Sequence, residues 1–213
     1  MKRYFSALTL SFTLLGILVS SADAQVGRGK FGFGLSGACN MLQSDWKTND
    51  IGYGAAADLS YALGDNWGLV SRLGVDNFYG KNSASQSVLS TAFTGQLGIT
   101  YEFLRDKPLN PFLFAGAGLV FFYPRTSNNL ALLKSGKDQL WDVTVHAGLG
   151  FDYFLDESWS IIVCAEGGMI AGDTIDGYGA GGSNDMYGRA SMGIRYYLFD
   201  RSTVEKIVET VRR

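Results

Sequence analysis

His146 is the only histidine in this 213-residue chain, so acid–base chemistry near neutral pH must be built on it or on carboxylates. Around it residue types alternate. Trp141, Val143, Val145, Ala147, Leu149, Phe151, Tyr153 and Leu155 form one set, and Asp142, Thr144, His146, Gly148, Gly150, Asp152 and Phe154 form the other. A helix, with a period of about 3.6, would mix the two sets, so 141–155 is a strand and His146 shares a face with Asp142 and Asp152. A membrane acyl hydrolase or acyltransferase needs a His, a Ser and an acid near its lipid-facing rim. His146 points the other way and reads as a hydrogen-bonded interior residue.

Metal and cofactor chemistry lack a pattern as well. One His and two distant cysteines, Cys39 and Cys164, give no ligand spacing. Strand order puts one strand between them, beyond the disulfide limit of about 7 Å, so two free and mostly buried thiols are expected even in an oxidising compartment. Two G-x-G-x-x-G matches, Gly32-Gly34-Gly37 and Gly177-Gly179-Gly182, open no helix that could cradle a phosphate. The first is expected to pack inside a strand. The second, near Asp173, Asp176 and Asp185, belongs to a loop that offers at most a weak calcium site.

The alternation around His146 recurs along the chain and sorts the remaining polar residues. Asp58, Arg72, Asp76, Gln96, Glu102, Glu166, Arg189 and Arg195 fall on faces rich in Gly, Ser and Thr, joining Asp142, His146 and Asp152. The opposite faces carry Leu59, Leu73, Leu97, Ile99, Val163, Met192 and Ile194. Such strands suit a closed sheet with a greasy outside and a polar inside, where acids and bases neutralise one another because an unpartnered buried charge is costly. On this register Leu149→Arg is expected to cost much and Gly148→Ser little.

Eight such strands can be counted, the first (about Phe31 to Asn40) and fifth (about Phe112 to Tyr123) less sharply because Gly and aromatics fall on both faces. Ten residues at ~3.3 Å each, tilted by ~40°, cover about 25 Å, the apolar band of an outer membrane. Connections after strands two, four and six (Gly64 to Asn66, Arg105 to Pro111, Asp156 to Ser158) are shorter than the others. Two of them share Tyr-x-Leu-x-acid-x-Trp, at Tyr61 to Trp67 and Tyr153 to Trp159, a tight hairpin flanked by aromatics. With only 3 Pro and 14% aromatic residues, the chain is not of a disordered class. A net charge of −2 supplies no basic field for nucleic acid.

The N-terminus reads as an export signal over residues 1–24. Lys2 and Arg3 precede an apolar run from about Phe5 to Val19, and Ala22-Asp23-Ala24 is a cleavage site that leaves Gln25 first. The barrel then occupies residues 25–199. Ser202 to Arg213 has a capping-box pattern with Val204, Ile207, Val208 and Val211 on one helical face, so 200–213 reads as a short amphipathic periplasmic tail.

The signal peptide, the eight strands, the paired turns and the last strand resemble the small outer-membrane barrels of the OmpA/OmpX type. The resemblance implies an eight-stranded antiparallel up-and-down transmembrane β-barrel in a Gram-negative outer membrane, in contact with lipid and lipopolysaccharide. It implies four extracellular loops, without catalysis or cofactor, in a structural or surface-interaction role through some extracellular ligand or surface. Gly193, Tyr196, Leu198 and Phe199 resemble the signal read by the barrel-assembly machinery. A narrow ion or small-solute channel, a lipid-modifying enzyme and a soluble secreted barrel stay open as alternatives. If the assembly signal is as the resemblance implies, Tyr196→Ser with Leu198→Ser sharply lowers the folded, heat-modifiable band on a gel, and deletion of 200–213 leaves it intact. The opposite pair of results places the signal elsewhere.

Overall fold

The computed structural model describes residues 31–63, 66–81, 86–105, 107–126, 140–156, 158–172, 175 and 184–198. The expected signal peptide, Phe199, the second glycine motif and the tail lie outside these residues. Eight strands follow in chain order: β1 (Phe31–Gln43), β2 (Thr48–Ala62), β3 (Trp67–Lys81), β4 (Ser87–Glu102), β5 (Leu109–Thr126), β6 (Trp141–Phe154), β7 (Trp159–Ile170) and β8 (Met186–Leu198). Each pairs antiparallel with the next, and β8 returns to β1 to close the barrel.

The alternation read from β2, β3, β4, β6, β7 and β8 is the alternation of the walls. Leu59, Leu73, Leu97, Leu149 and Met192 are exposed outside, whereas Asp58, Arg72, Gln96, Asp152, Glu166 and Arg195 are buried inside. The two less sharply marked strands are longer than the sequence suggests. β1 extends to Gln43 with Asn40 and Leu42 turned inward, and β5 spans Leu109–Thr126, so the connection before it is shorter than Arg105 to Pro111. In β5 the parity is settled by bulk, with Phe112, Phe114, Val120 and Phe122 inside and Leu113, Leu119, Phe121 and Tyr123 outside.

These strands correct several expectations. Cys39 faces outward and is exposed, and only Cys164 is buried; both are free. Gly37 also faces outward, so the first glycine motif puts only Gly32 and Gly34 inside. The interior is not uniformly polar either. Phe112, Phe114, Ile162 and Cys164 form an apolar cluster within it, and a larger one fills the end with the long connections. Eight strands enclose just enough room for side chains, so the lumen is packed as a core.

The repeated turns have equivalent hydrogen bonds. Leu63 N–H donates to the Trp67 carbonyl and Leu155 N–H to the Trp159 carbonyl, both at 2.9 Å. Each Trp then packs on a tyrosine of the adjoining strand, Trp67 on Tyr101 at 4.9 Å and Trp159 on Tyr196 at 4.8 Å. An aromatic belt at the short-turn end results, of the kind that sits at a membrane interface.

Inward glycines supply space for opposing side chains. A Cβ on Gly34 would lie 2.5 Å from an Asp58 carboxylate oxygen, and one on Gly148 would lie 2.6 Å from the Phe114 ring and press on the Ala165 carbonyl. Gly148→Ser is therefore not the mild change that its polar face suggests. We expect Leu149→Arg to cost about 2 to 4 kcal/mol by placing a charge on the lipid face, and Gly148→Ser to cost about 1 to 3 kcal/mol by overpacking. Unfolding of both variants in detergent micelles, followed by heat-modifiable mobility, reads the two penalties.

Candidate functional site in the barrel interior

Near the short-turn end, Arg195 on β8 lies opposite Gly34 of β1 and Ser160 of β7. Because those neighbours are small, its guanidinium reaches two carboxylates. Nη2 and Nε donate to Asp58 Oδ2 at 2.8 and 3.1 Å, and Nη1 donates to Asp152 Oδ2 at 3.0 Å. The Tyr197 hydroxyl donates to the same Asp152 oxygen at 3.0 Å. Charge-assisted bonds of this kind are about twice as strong as neutral ones and fix geometry. Phe154 packs on the Tyr197 ring at 5.3 Å and closes the layer from below.

A second polar layer lies further up. Arg72 of β3 pairs with Glu166 of β7. Arg189 of β8 joins them, its Nη1 4.0 Å from Glu166 Oε1 and its Nε 3.6 Å from Asp76 Oδ1. Asn40 donates to that Asp76 oxygen at 2.8 Å. Two bases thus face two acids, and the Arg72 guanidinium also lies 5.5 Å from the centre of the Phe114 ring. Gln96 donates to the Tyr187 hydroxyl at 3.0 Å just above. His146 is buried with its ring 6.1 Å from Phe114.

The structure thereby brings together Asp58, Asp152 and Arg195, and separately Arg72, Asp76, Glu166 and Arg189. Four residues of the expected network fall outside both groups: Gln96 bonds Tyr187 and His146 lies near Phe114, while Glu102 and Asp142 sit at opposite ends of the barrel. Glu102 is partly exposed at the short-turn rim with Arg105 3.9 Å away, because the wall ends there and solvent enters. Asp142 is buried at the opposite end, where a Cβ on Gly172 would meet its carboxylate.

Above the upper layer the lumen changes character. Leu42, Trp46, Phe78, Val88, Ala92, Val120, Phe122, Ile170 and Ile175 form one buried apolar cluster with Tyr187 packed against it. Trp46 comes from the connection after β1 and Ile175 from the connection after β7, so both turn back into the barrel. Gly80 has room for the Trp46 indole only because it lacks a Cβ, and the Ser90 hydroxyl donates to the Ile175 carbonyl at 2.6 Å. Between plug and ion pairs lies an enclosed cavity of ≈ 10 Å³, lined by Gln96, Glu166, Tyr187 and Arg189 among others. That is the space of a single water.

Sequence reasoning missed Asn40, Tyr197, Trp46 and Ile175. Tyr197 was within reach, since it stands two residues from Arg195 and shares its face. Asn40 belongs to the strand whose parity the glycines blur. Trp46 and Ile175 lie in connections, where no periodicity marks which side chain folds inward.

Residues 12–196 match the sequence profile of the family described as outer membrane protein beta-barrel domain. The chain belongs to this family. No curated protein sequence matches it. Among solved structures, Neisserial surface protein A is 16% identical and covers 81% of this chain and 99% of its own, with a TM-score of 0.55. OprG of Pseudomonas aeruginosa gives 15%, 83%, 99% and 0.55. Ail, the attachment invasion locus protein of Yersinia pestis, solved with the heparin analogue sucrose octasulfate, gives 11%, 80%, 99% and 0.51. At these identities the likeness is one of fold. The chain is a small outer-membrane β-barrel whose strands cross the membrane.

Two variants test the interior. Arg195→Met leaves Asp58 and Asp152 buried around a missing cation and is expected to destabilise the barrel by about 3 to 5 kcal/mol. Glu102→Gln breaks only a rim pair and is expected to cost less than about 1 kcal/mol. Chemical denaturation in micelles compares them, and adding Asp58→Asn and Asp152→Asn to Arg195→Met should restore most of the loss.

Proposed function

We propose that this barrel is a surface-interaction protein that transports nothing through its lumen and holds outside the cell the connections after β1, β3, β5 and β7, of which only 127–140 and 171–185 are long, since 44–47 and 82–86, contrary to the sequence expectation, are no longer than 103–108. The observation that carries the reading is the apolar plug of Trp46, Phe122, Ile175 and their neighbours, which covers the ion-pair layers at the long-connection end. A hydrated ion entering there would lose its water before meeting any charge, at a cost of many kcal/mol. What varies freely on such a scaffold is the set of connections at 44–47, 82–86, 127–140 and 171–185, and loops on a rigid frame are where binding residues concentrate.

Orientation rests on the two long connections, 127–140 and 171–185, which share one end of the barrel. Outer-membrane barrels keep short turns in the periplasm and long loops outside. The export signal with its Ala22 and Ala24 positions, the assembly signal at Gly193, Tyr196, Leu198 and Phe199, and delivery by the barrel-assembly machinery belong to this reading. An enzymatic role has less support, since His146 is buried beside Phe114 and cannot meet a lipid ester from inside. Ail was solved with a heparin analogue, so a sulfated oligosaccharide is a reasonable first probe for the loops.

The test has two arms. Epitopes inserted at 83 and at 130 should be labelled on intact cells and one at 65 only after permeabilisation; the reverse overturns the orientation. Purified barrel in planar bilayers should show no discrete conductance steps, and cells bearing it should lose surface or oligosaccharide binding when the loops are exchanged for Gly-Ser segments. Steady unitary currents from the unmodified protein would instead establish the channel reading.

A further inference from the structure

Seven of the eight seams in the wall join strands that follow one another in the chain, so a connection already holds each pair together. The eighth, between β8 and β1, joins the two ends of the sheet and has no connection to fix its register. Following the paired residues from Phe31 around all eight strands returns to β1 at Met41, ten positions on. That offset sets the tilt of the strands and the width of the barrel.

A slip of one residue at this seam would exchange the lipid and lumen faces. A slip of two would not. Phe33, Leu35 and Gly37 would still face outward beside Met192, Ile194 and Tyr196, and the inward positions of β1 from Gly32 to Ala38 are all small, so none of them marks one partner on β8. Alternation alone therefore lets β8 close on β1 in more than one register.

The buried charges do discriminate. Among the described residues, Arg72 is on β3, and the two other buried arginines, Arg189 and Arg195, are both on β8. Arg195 lies between Gly34 of β1 and Ser160 of β7, and it reaches past the glycine to Asp58 of β2 at 2.8 Å while holding Asp152 of β6 at 3.0 Å. Arg189 lies between Asn40 of β1 and Glu166 of β7, 3.6 Å from Asp76 of β3 and 4.0 Å from Glu166. Asn40 donates to the same Asp76 oxygen. Each arginine thus ties strands on both sides of the one seam that no connection holds. A slip of two, at ~3.3 Å per residue, would carry Asp58 and Asp76 about 7 Å from their arginines while Asp152 and Glu166 stayed in place.

We propose that Arg195 and Arg189 set the closing register, selecting the ten-residue offset as β8 meets β1. Buried ion pairs add little stability over apolar packing, and fixing a register is the use for which buried polar groups are best attested. An uncharged lumen could accordingly be as stable and still close in more than one way.

Disulfide trapping at the seam tests this in the full refolded chain, with Cys39→Ala and Cys164→Ala as the background. Ile194→Cys is combined with Leu35→Cys for the observed register, and with Phe33→Cys or Gly37→Cys for slips of two in either direction. Directly opposed residues are ~5 Å apart and can bridge, whereas diagonal neighbours at ~7–8 Å bridge poorly. With the lumen unchanged, cross-linking should run through position 35. Asp58→Asn with Asp76→Asn cuts only the ties across the seam and should raise a slipped yield about tenfold, the ratio given by ~1.4 kcal/mol of register preference. Arg72→Met, which removes a buried arginine outside β8, should leave the register as it was. An uncharged form carrying Arg189→Met, Arg195→Met, Asp58→Asn, Asp76→Asn and Asp152→Asn keeps Arg72 with Glu166 and should fold and slip. Heat-modifiable mobility gives the folded fraction of each variant. Cross-linking confined to position 35 in either neutralised form, or equal slipping in Arg72→Met, overturns the role. So does an uncharged form that never folds, because the pairs would then serve stability in place of register.

Discussion

In hydrocarbon no water is available to satisfy a backbone N–H or C=O, and this single constraint organises the rest of the molecule. An open sheet would leave two edges of unpaired groups, so β8 must return to β1. It does so over the full length of both strands, from Phe31 with Leu198 to Gln43 with Met186. Closure fixes which face of every residue is lipid and which is lumen. A slip by one residue would move Arg195 into the membrane and Ile194 into the core, which explains why the register is held so strictly.

Closure also creates the problem that the interior solves. Eight strands leave a lumen too narrow for a solvated channel but too wide for backbone alone, and it is filled here by alternating kinds of material. The charged layers pair bases with acids: Arg195 hydrogen-bonds Asp58 and Asp152, Arg72 pairs with Glu166, and Arg189 lies within ion-pair distance of Asp76 and Glu166. The apolar clusters lie next to them, leaving space for about one water between the plug and the upper pairs. Each kind supports the other, since an ion pair in a dry environment is strong only when fully partnered, and an apolar cluster keeps it dry. Inward glycines such as Gly34 and Gly148 are where this filling meets the wall.

Most of this was legible in the sequence where the alternation was chemically unambiguous. Strand β6 sets Trp, Val and Leu against Asp, Thr and His, and nothing but period two accounts for it. In β5, Phe114 and Phe121 fall on opposite faces although both are phenylalanines, because the lumen needs large apolar groups as much as the lipid face does. Hydrophobicity cannot tell these environments apart, so the sequence predicts a polar interior where the structure has a layered one. Cys39 was misjudged for a related reason. A small residue on the first strand carries no signal of its own, and its outward side is decided by the register with Ala190 and Tyr53. Trp46 and Ile175 lie further still from any sequence rule, since what draws them inward is the space left by Gly80 and the apolar ring formed by four or more strands.

The division of material along the axis carries a consequence for where function can reside. The lumen is committed to stability, as each of its layers loses several kcal/mol if one partner is removed. Such a region tolerates little change. Residues outside the closed wall are under no such demand. The connections beyond β1, β3, β5 and β7 lie outside the eight strands of the closed sheet, and the outer wall needs only to be apolar over about 25 Å. Features that closure does not require are free of that demand, and in this barrel they include the connections that join the strands at either end of the wall.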